Sequence, residues 1–411
     1  MTISCDYLII GAGIIGLSIA LEIKRREPYA RILISEKECK AGMHASGRNS
    51  GVMHSGIYYS SETLKAQFCA AGAALMRQFA KEHGIAYHPS GKVIIATSEK
   101  DLPVIERLLE NARTNGIRGE KLNEQEVKAI EPHATPYKVG IYSPSTFIID
   151  SKAVIQRLEK ILMDYGVSFV FGSEITQIDT RHRTVRLKGE AYHYGYLFNC
   201  AGTNADRIAR LFGLCKEYTL IPFKGIYYKL RPERQHLVRA NIYPVPDVDL
   251  PFLGVHLTRV ISGEVYVGPT AMPAFGRENY GFLQGITFRE GVQIMRELFD
   301  MYCRNQQNFR KLVHTEMRKY IKSSFTDSAS KLVGELETED LISCDKVGIR
   351  PQLVNIRKKT LEMDYIIEQT PDSLHVLNAI SPAFTSAFAF SKMLVNRAQG
   401  IAEPIGEVTY V

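Results

Sequence analysis

Chemistry-bearing residues appear within the first forty positions. The stretch YLIIGAGIIGLSIAL spaces Gly11, Gly13 and Gly16 as G-x-G-x-x-G between an apolar run at 7–10 and an amphipathic segment at 17–26. Strand, tight glycine turn and helix in that order make a cradle for a pyrophosphate. Gly11 permits the turn, Gly13 lets the phosphate approach the backbone, and Gly16 lets helix and strand pack closely. The helix then points its N–H groups and positive end at the anion. A second apolar strand, 31–35, ends at Glu36, twenty residues past Gly16. A carboxylate there accepts a hydrogen bond from a ribose hydroxyl and rejects a 2′-phosphate. The pattern predicts a dinucleotide site and leaves NAD and FAD both open, since each carries an adenosine ribose.

Residues 43–60, MHASGRNSGVMHSGIYYS, hold two histidines, an arginine, two adjacent tyrosines and several glycines without helical or strand periodicity. Such a segment, placed directly behind a nucleotide cradle, can bring its backbone close to a ligand and present polar side chains to it.

The elements that must position these groups follow from the rest of the chain. A helix is predicted over 61–84 with Ser60 and Ser61 as candidate caps and Gly84 as its stop, then a strand at 91–97 and a charged helix at 99–115. A proline-punctuated loop follows around 122–137, and a helix from 151 to 165. Strand patterns occupy 167–187, and YLFNCAG (196–202) reads as a buried strand ending in a glycine turn, with Asp206 and Arg207 near the start of the next helix. Short strands and turns dominate 217–290, and 286–340 is helical, basic between Arg304 and Lys331. Three strands, a turn and an apolar helix close the chain. The expected fold is α/β, with a Rossmann-type nucleotide-binding domain built discontinuously from 1–85, 150–215 and 345–411. An inserted α+β domain with an antiparallel sheet, 86–149 and 216–344, forms the second lobe.

Composition narrows the class. At 411 residues two lobes with substantial cores are expected. A basic excess of seven suits anionic ligands or an acidic membrane surface, but the cations are dispersed and no nucleic-acid motif is present, so a nucleic-acid partner is excluded. Seven widely spaced cysteines without a C-x-x-C pair predict a reducing compartment, no disulfides and no metal site. The amino terminus lacks the features of a leader, and no run reaches the ~18 to 20 apolar residues that cross a bilayer. The expectation is a cytoplasmic protein, any membrane contact being peripheral, at the inner face of the cytoplasmic membrane.

Six stretches carry a resemblance that spans nearly the whole chain: GRNSGVMHSGIYYSSETLKAQFC, IPFKGIYYKL, IYPVPDVDLPFLGVHLTR, VGPTAMPAF, GIRPQ and HVLNAISPAFTSAFA. In this order they resemble the flavoprotein family of D-amino-acid oxidase, glycine oxidase and glycerol-3-phosphate dehydrogenase, and within it the L-2-hydroxyglutarate dehydrogenase branch, also described as an oxidase. The chain departs from that branch at Pro351, usually alanine, and at Phe384, usually smaller; both changes bear on pocket shape. The resemblance implies FAD as cofactor. It assigns to FAD Gly11, Gly13, Ile14, Ile15, Gly16 and Glu36, the stretch Ser46, Gly47, Arg48, Asn49, Ser50 and Gly51, then Ile175, Ala201 and Gly202. The turn Ser381, Pro382, Thr385 and Ser386 lies by the same resemblance near the pyrimidine end of the flavin, where helix N–H groups stabilise negative charge.

The implied reaction oxidises L-2-hydroxyglutarate to 2-oxoglutarate, with C2 hydrogen passing to flavin N5 and the electrons then to a membrane quinone or to oxygen. A base must accept the hydroxyl proton, and histidine serves best near neutral pH. His54 and His256 are the candidates, with His44 and His375 behind them, and Tyr58 as a substrate contact. A dicarboxylate substrate calls for fixed cations, arginine above all because its planar fork grips a carboxylate at two points. Arg350 in GIRP is the first candidate; Arg259 and Lys224 are the candidates for the distal carboxylate. The basic stretch RKLVHTEMRKYIK, 310–322, motivates a peripheral-membrane role. The alternatives are a related flavin oxidase of an amino acid or of glycerol 3-phosphate, and a flavin-binding protein without turnover.

Overall fold

The structure is a computed structural model and describes residues 2–401. A first sheet of eight strands carries the nucleotide cradle. Its parallel part runs Ser168–Val170, Ile32–Ser35, Thr2–Ile10, Glu190–Asn199 and Ser373–Val376 in spatial order, with a small antiparallel hairpin at 178–187 beyond it. The parallel strands are continuous apolar runs because both faces are covered. One face packs on the helices Ile14–Arg26, Leu64–Glu82, Ser151–Asp164 and Ala383–Ala398 around Ile9, Leu17, Leu158, Phe198 and Phe390. The other face packs around Leu8, Leu33, Tyr194 and Ile208. The order reverses at Thr2–Ile10, and a crevice for ligands opens at the carboxyl ends of its neighbours.

The second sheet has ten strands, ordered Thr360–Leu361, Leu341–Asn355, Tyr218–Leu230, Val265–Gly268, His256–Arg259, Asn241–Pro244, Lys92–Ile95, Val139–Ser143 and Glu120–Asn123, with Met272–Pro273 beside Tyr218–Leu230. It is antiparallel except where Asn241–Pro244 runs parallel to Lys92–Ile95. Here the domain boundary expected at 345 is corrected: Leu341–Asn355 pairs along its length with Tyr218–Leu230, so this segment belongs to the second sheet. The helix expected from 61 starts at Leu64, and its cap is Thr63, whose Oγ1 accepts from the Ala66 N–H at 3.2 Å, in place of Ser60 or Ser61. The helical stretch 286–340 divides into Phe288–Arg304, Phe309–Arg318 and Lys322–Ser330, broken where Asn305, Gln307 and Asn308 take left-handed backbone angles.

The two sheets meet across residues 43–60, which form turns followed by a short strand, Val52–Met53, paired with Phe147–Ile148. The C-terminal helix is drawn onto this segment by a close helix contact. A Cβ on Gly72 of Leu64–Glu82 would lie 2.5 Å from the Ser386 Cα, so only glycine lets these helices approach. That approach sets the Thr385 hydroxyl 3.2 Å from the His54 backbone N–H.

Candidate active site

The glycine cradle is built as its spacing requires. Gly11 has φ +102° and its hypothetical Cβ lies 2.5 Å from the Cys200 carbonyl oxygen; one on Gly16 lies 2.1 Å from the Gly11 carbonyl oxygen. Gly11 is thus held for the turn and Gly16 for packing. The first helical bond runs from the Leu17 N–H to the Gly13 carbonyl, so earlier amides have no helix acceptor. One of them, Ile14 N–H, donates to Ser46 Oγ at 2.9 Å, which ties the 43–60 segment to the helix start. Glu36 lies beside it, its carboxylate accepting from the N–H groups of Ala12 and Glu38 at 2.8 and 2.9 Å, with acceptor capacity left for a ribose.

A single continuous cavity of about 660 Å³ starts at this cradle and runs under the second sheet. Gly11, Gly13, Ile14, Ile15, Glu36, Ser46, Arg48, Asn49, Ser50, Ile175, Ala201 and Gly202 line it, then Ser381, Pro382 and Thr385. Farther on its wall is His54, Tyr58, Tyr59, Lys65, Phe223, Tyr227, Tyr243, Phe252, His256 and Arg350, and the two departures Pro351 and Phe384. The volume is that of a ligand site and the cradle fits a dinucleotide, so the residues present suit one bound along this length.

Four expected cofactor positions are not on the cavity wall. Gly16 packs as described. Gly47 sits with its hypothetical Cβ 2.4 Å from the Gly42 carbonyl oxygen, and Gly51, at φ +74°, 2.7 Å from that of Ile149. Ser386 is fully buried, and its Oγ accepts from the Tyr365 hydroxyl at 3.2 Å.

Arg259 and Lys224 are not on the cavity wall, and the reason is the pleat. Side chains alternate across a strand. Phe223, Gly225 and Tyr227 face the cavity, so Lys224 faces away and donates to Gly281 O and Asn279 Oδ1 at 2.8 and 3.2 Å. His256 faces the cavity, so Arg259 three residues on faces the far side, where its guanidinium donates to the carbonyls of Gln235, Val238 and Gly263. His375 is also buried elsewhere, bonded to Asn199 and Ser373. His44 lines the cavity with both ring nitrogens engaged, by the Tyr280 hydroxyl at 2.6 Å and Glu38 at 2.9 Å, and Arg48 stacks on the same Tyr280 ring.

His256 has one tautomer available. Its Nδ1 is 2.9 Å from the Gly254 carbonyl, which can only accept, so Nδ1 carries the proton and Nε2 is the free base. Its ring stacks on Tyr243 with centroids 3.9 Å apart, which fixes the plane. Burial lowers its pKa to about 4, aided by the charges of Lys92, Lys319 and Arg350. His54 is lowered further, to about 3, by burial and then by Lys92, His256 and Arg350. Both are unprotonated at neutral pH. Arg350, in register with Phe223, lays its guanidinium 4.8 Å from the Phe252 ring centroid and has no carboxylate partner among the described residues. An enclosed guanidinium without a counter-ion, beside two neutral imidazoles, is arranged to bind an anion next to a proton acceptor.

Two further groups belong to the site without a motif to announce them. Lys65 is on the wall and Lys92 lies beneath it, its Nζ without a hydrogen-bond partner and 4.5 and 5.0 Å from the Tyr58 and Tyr243 ring centroids. The one sequence signal for Lys92 is a lysine opening the otherwise apolar strand of GKVIIAT. Lys65 gives none, since a lysine in the first turn of a helix is ordinarily solvated.

The sequence profile described as DAO, FAD dependent oxidoreductase, matches residues 6–397. L-2-hydroxyglutarate dehydrogenase of Escherichia coli K12 is 36% identical over 398 residues, covering 96% of this chain and 93% of that protein. The mitochondrial L-2-hydroxyglutarate dehydrogenase of Homo sapiens is 34% identical, with 97% and 89% covered. Among solved structures, L-alpha-glycerophosphate oxidase from Mycoplasma pneumoniae with FAD bound superposes with a TM-score of 0.74 at 20% identity, covering 96% and 95%. Glycine oxidase from Geobacillus kaustophilus gives 0.72 at 16%, covering 99% and 97%. The two superpositions speak for the fold, and the profile and the sequence relatives for the family: this chain belongs to the DAO family of FAD-dependent oxidoreductases.

Proposed function

We propose that the protein oxidises L-2-hydroxyglutarate to 2-oxoglutarate. The observation that carries this is the pairing of Arg350, a guanidinium without a counter-ion, with His256, a histidine held as a base with Nε2 free, in one cavity with the FAD cradle. The name shared by the sequence relatives supports it. FAD, when bound, supplies the two-electron acceptor for the carbon-bound hydrogen.

The chain's own residues do the rest. Arg350 takes the carboxylate beside the reacting carbon through its two-pronged fork, which fixes the hydroxyl relative to the histidines. His256 accepts the hydroxyl proton at Nε2, while Gly254 holds the other nitrogen and Tyr243 the ring plane. His54 and Tyr58 close the adjacent wall, and Tyr227, Tyr243 and Phe252 exclude water. Anaerobic mixing of the FAD-loaded protein with substrate tests this. L-2-Hydroxyglutarate should bleach the flavin absorbance and the D enantiomer should not. Bleaching by an amino acid or glycerol 3-phosphate, with none by L-2-hydroxyglutarate, overturns it.

For the electrons we assign a membrane quinone as acceptor, with the protein docked peripherally. Among the described residues no helix is long and apolar enough to cross a membrane. The support comes from a surface other than 310–322. In that stretch Lys311 is paired with Asp247 and Asp249, and Lys319 with Glu316. Phe282 and Leu283 instead project from a loop, and Phe288, Val292, Met295 and Phe299 form an exposed apolar stripe along Phe288–Arg304. Phe282 is 86% and Phe288 88% exposed, and the exposed Arg289 and Arg296 flank the stripe. Apolar residues beside arginines suit the interface of an anionic bilayer. Sedimentation with anionic vesicles, lost on Phe288→Ser with Phe299→Ser, is the expected result. Turnover with oxygen as fast as with a quinone analogue argues for oxygen.

A further inference from the structure

We propose that Lys65 holds the distal carboxylate of the substrate and thereby selects dicarboxylates, while Arg350 holds the carboxylate next to the reacting carbon. This rests on the 2-hydroxy-acid reading above and assigns the specificity that Arg259 and Lys224 do not provide. Lys65 is the second residue of Leu64–Glu82 and lines the cavity with only 5% of its surface exposed. The carboxylate that acts on it, Asp364, forms no ion pair with it and is committed to backbone amides. The Asp364 carboxylate accepts from the backbone N–H groups of Leu64, Lys65 and Tyr365 at 2.8, 3.2 and 2.9 Å, and so caps the helix start. Among the described residues the acidic ones on the cavity wall are Glu36 and Glu174, and Glu36 belongs to the nucleotide cradle.

The second lobe's end of the cavity therefore presents two cations, Lys65 and Arg350, and no carboxylate on the wall to neutralise them. A buried charge without a partner is costly, and an anionic ligand relieves that cost for each. Burial, and then Arg350, lower the Lys65 pKa to about 7 against the opposing pull of the Asp364 carboxylate, so a second carboxylate on the cavity side would restore its charge. The two cations are not equivalent. The charge of Arg350 reaches both His54 and His256, whereas Lys65 is not among the groups that shift His54. Arg350 thus marks the reacting end, and Lys65, across Tyr59 with its Nζ 5.7 Å from that ring centroid, marks the other.

The test compares initial rates of the FAD-loaded enzyme on L-2-hydroxyglutarate and on L-2-hydroxyvalerate, which has the same chain length and lacks the second carboxylate. Lys65→Met should lower kcat/KM for L-2-hydroxyglutarate about 10- to 100-fold, mainly through KM, and leave L-2-hydroxyvalerate nearly unchanged. Lys65→Arg should keep the dicarboxylate preference. It should also move the rise in KM expected of wild type above pH ~7 to higher pH, because a guanidinium does not deprotonate there. Equal losses on both substrates, unchanged KM for L-2-hydroxyglutarate, or loss of bound FAD in Lys65→Met overturns the assignment. Wild type turning over neither substrate instead brings down the parent reading, and this one with it.

Discussion

Replacing Lys92 by methionine should stabilise the protein at neutral pH. Lys92 is 1% exposed and its Nζ has no hydrogen-bond partner. Burial takes its pKa from 10.5 to about 7. The folded state holds this proton less tightly than the unfolded chain does, so between pH 7 and 10.5 unfolding takes up a proton and stability rises with pH. At and below pH 7 the penalty is present in full. At about 1.4 kcal/mol per pH unit, the separation between 10.5 and about 7 corresponds to about 5 kcal/mol. Methionine keeps the stem in place and gives up two cation–π contacts, with Tyr58 and Tyr243, worth about 1 kcal/mol each. The net gain is about 3 kcal/mol, or a few degrees in Tm. Thermal unfolding of wild type and Lys92→Met at matched FAD concentration, at pH 7 and pH 10, measures it. The gap should narrow toward pH 10, where the wild-type lysine is neutral in the fold. A variant less stable than wild type at pH 7, or a gap independent of pH, refutes the reasoning. The same charge lowers the pKa of His54 and His256, so the variant's turnover should show whether activity is what this cost sustains.

Arg350→Lys removes the fork while keeping a charge and should raise KM for L-2-hydroxyglutarate about tenfold or more, with FAD affinity unchanged by titration. His256→Gln should lower kcat about 10²- to 10⁴-fold with folding intact by circular dichroism; a smaller effect than His54→Gln transfers the base role to His54. Because the two pKa values lie at about 4 and 3, kcat/KM should show no acid limb between pH 8 and about pH 5. The same depressed values mean that stability present above the ordinary histidine range is lost as pH falls from about 6.5 toward 4, which acid titration of Tm reads directly. Glu36→Gln should weaken FAD binding about tenfold in a fluorescence titration. Arg259→Gln should leave both KM and FAD binding unchanged while lowering Tm, since its guanidinium only ties three carbonyls together.

Local rules make much of this protein legible from its residues alone. The glycine cradle and Glu36 can be read from spacing, because a strand, turn and helix place those groups within one contiguous unit. The histidine-bearing segment and the arginine of GIRP are marked by longer matched stretches, and both line the cavity. Tertiary structure decides what lies on which face. Lys224 and Arg259 turn away because the pleat alternates about Phe223 and His256, and strand register cannot be phased from composition. Lys65 has the sequence setting of a solvated helix residue; the packing of Leu64–Glu82 against the helix Ala383–Ala398, through Gly72, and the use of Asp364 as a cap leave it in the cavity wall without an ion pair among the described residues. Ion pairing depends on which elements meet, and that is set by contacts hundreds of residues apart in the chain.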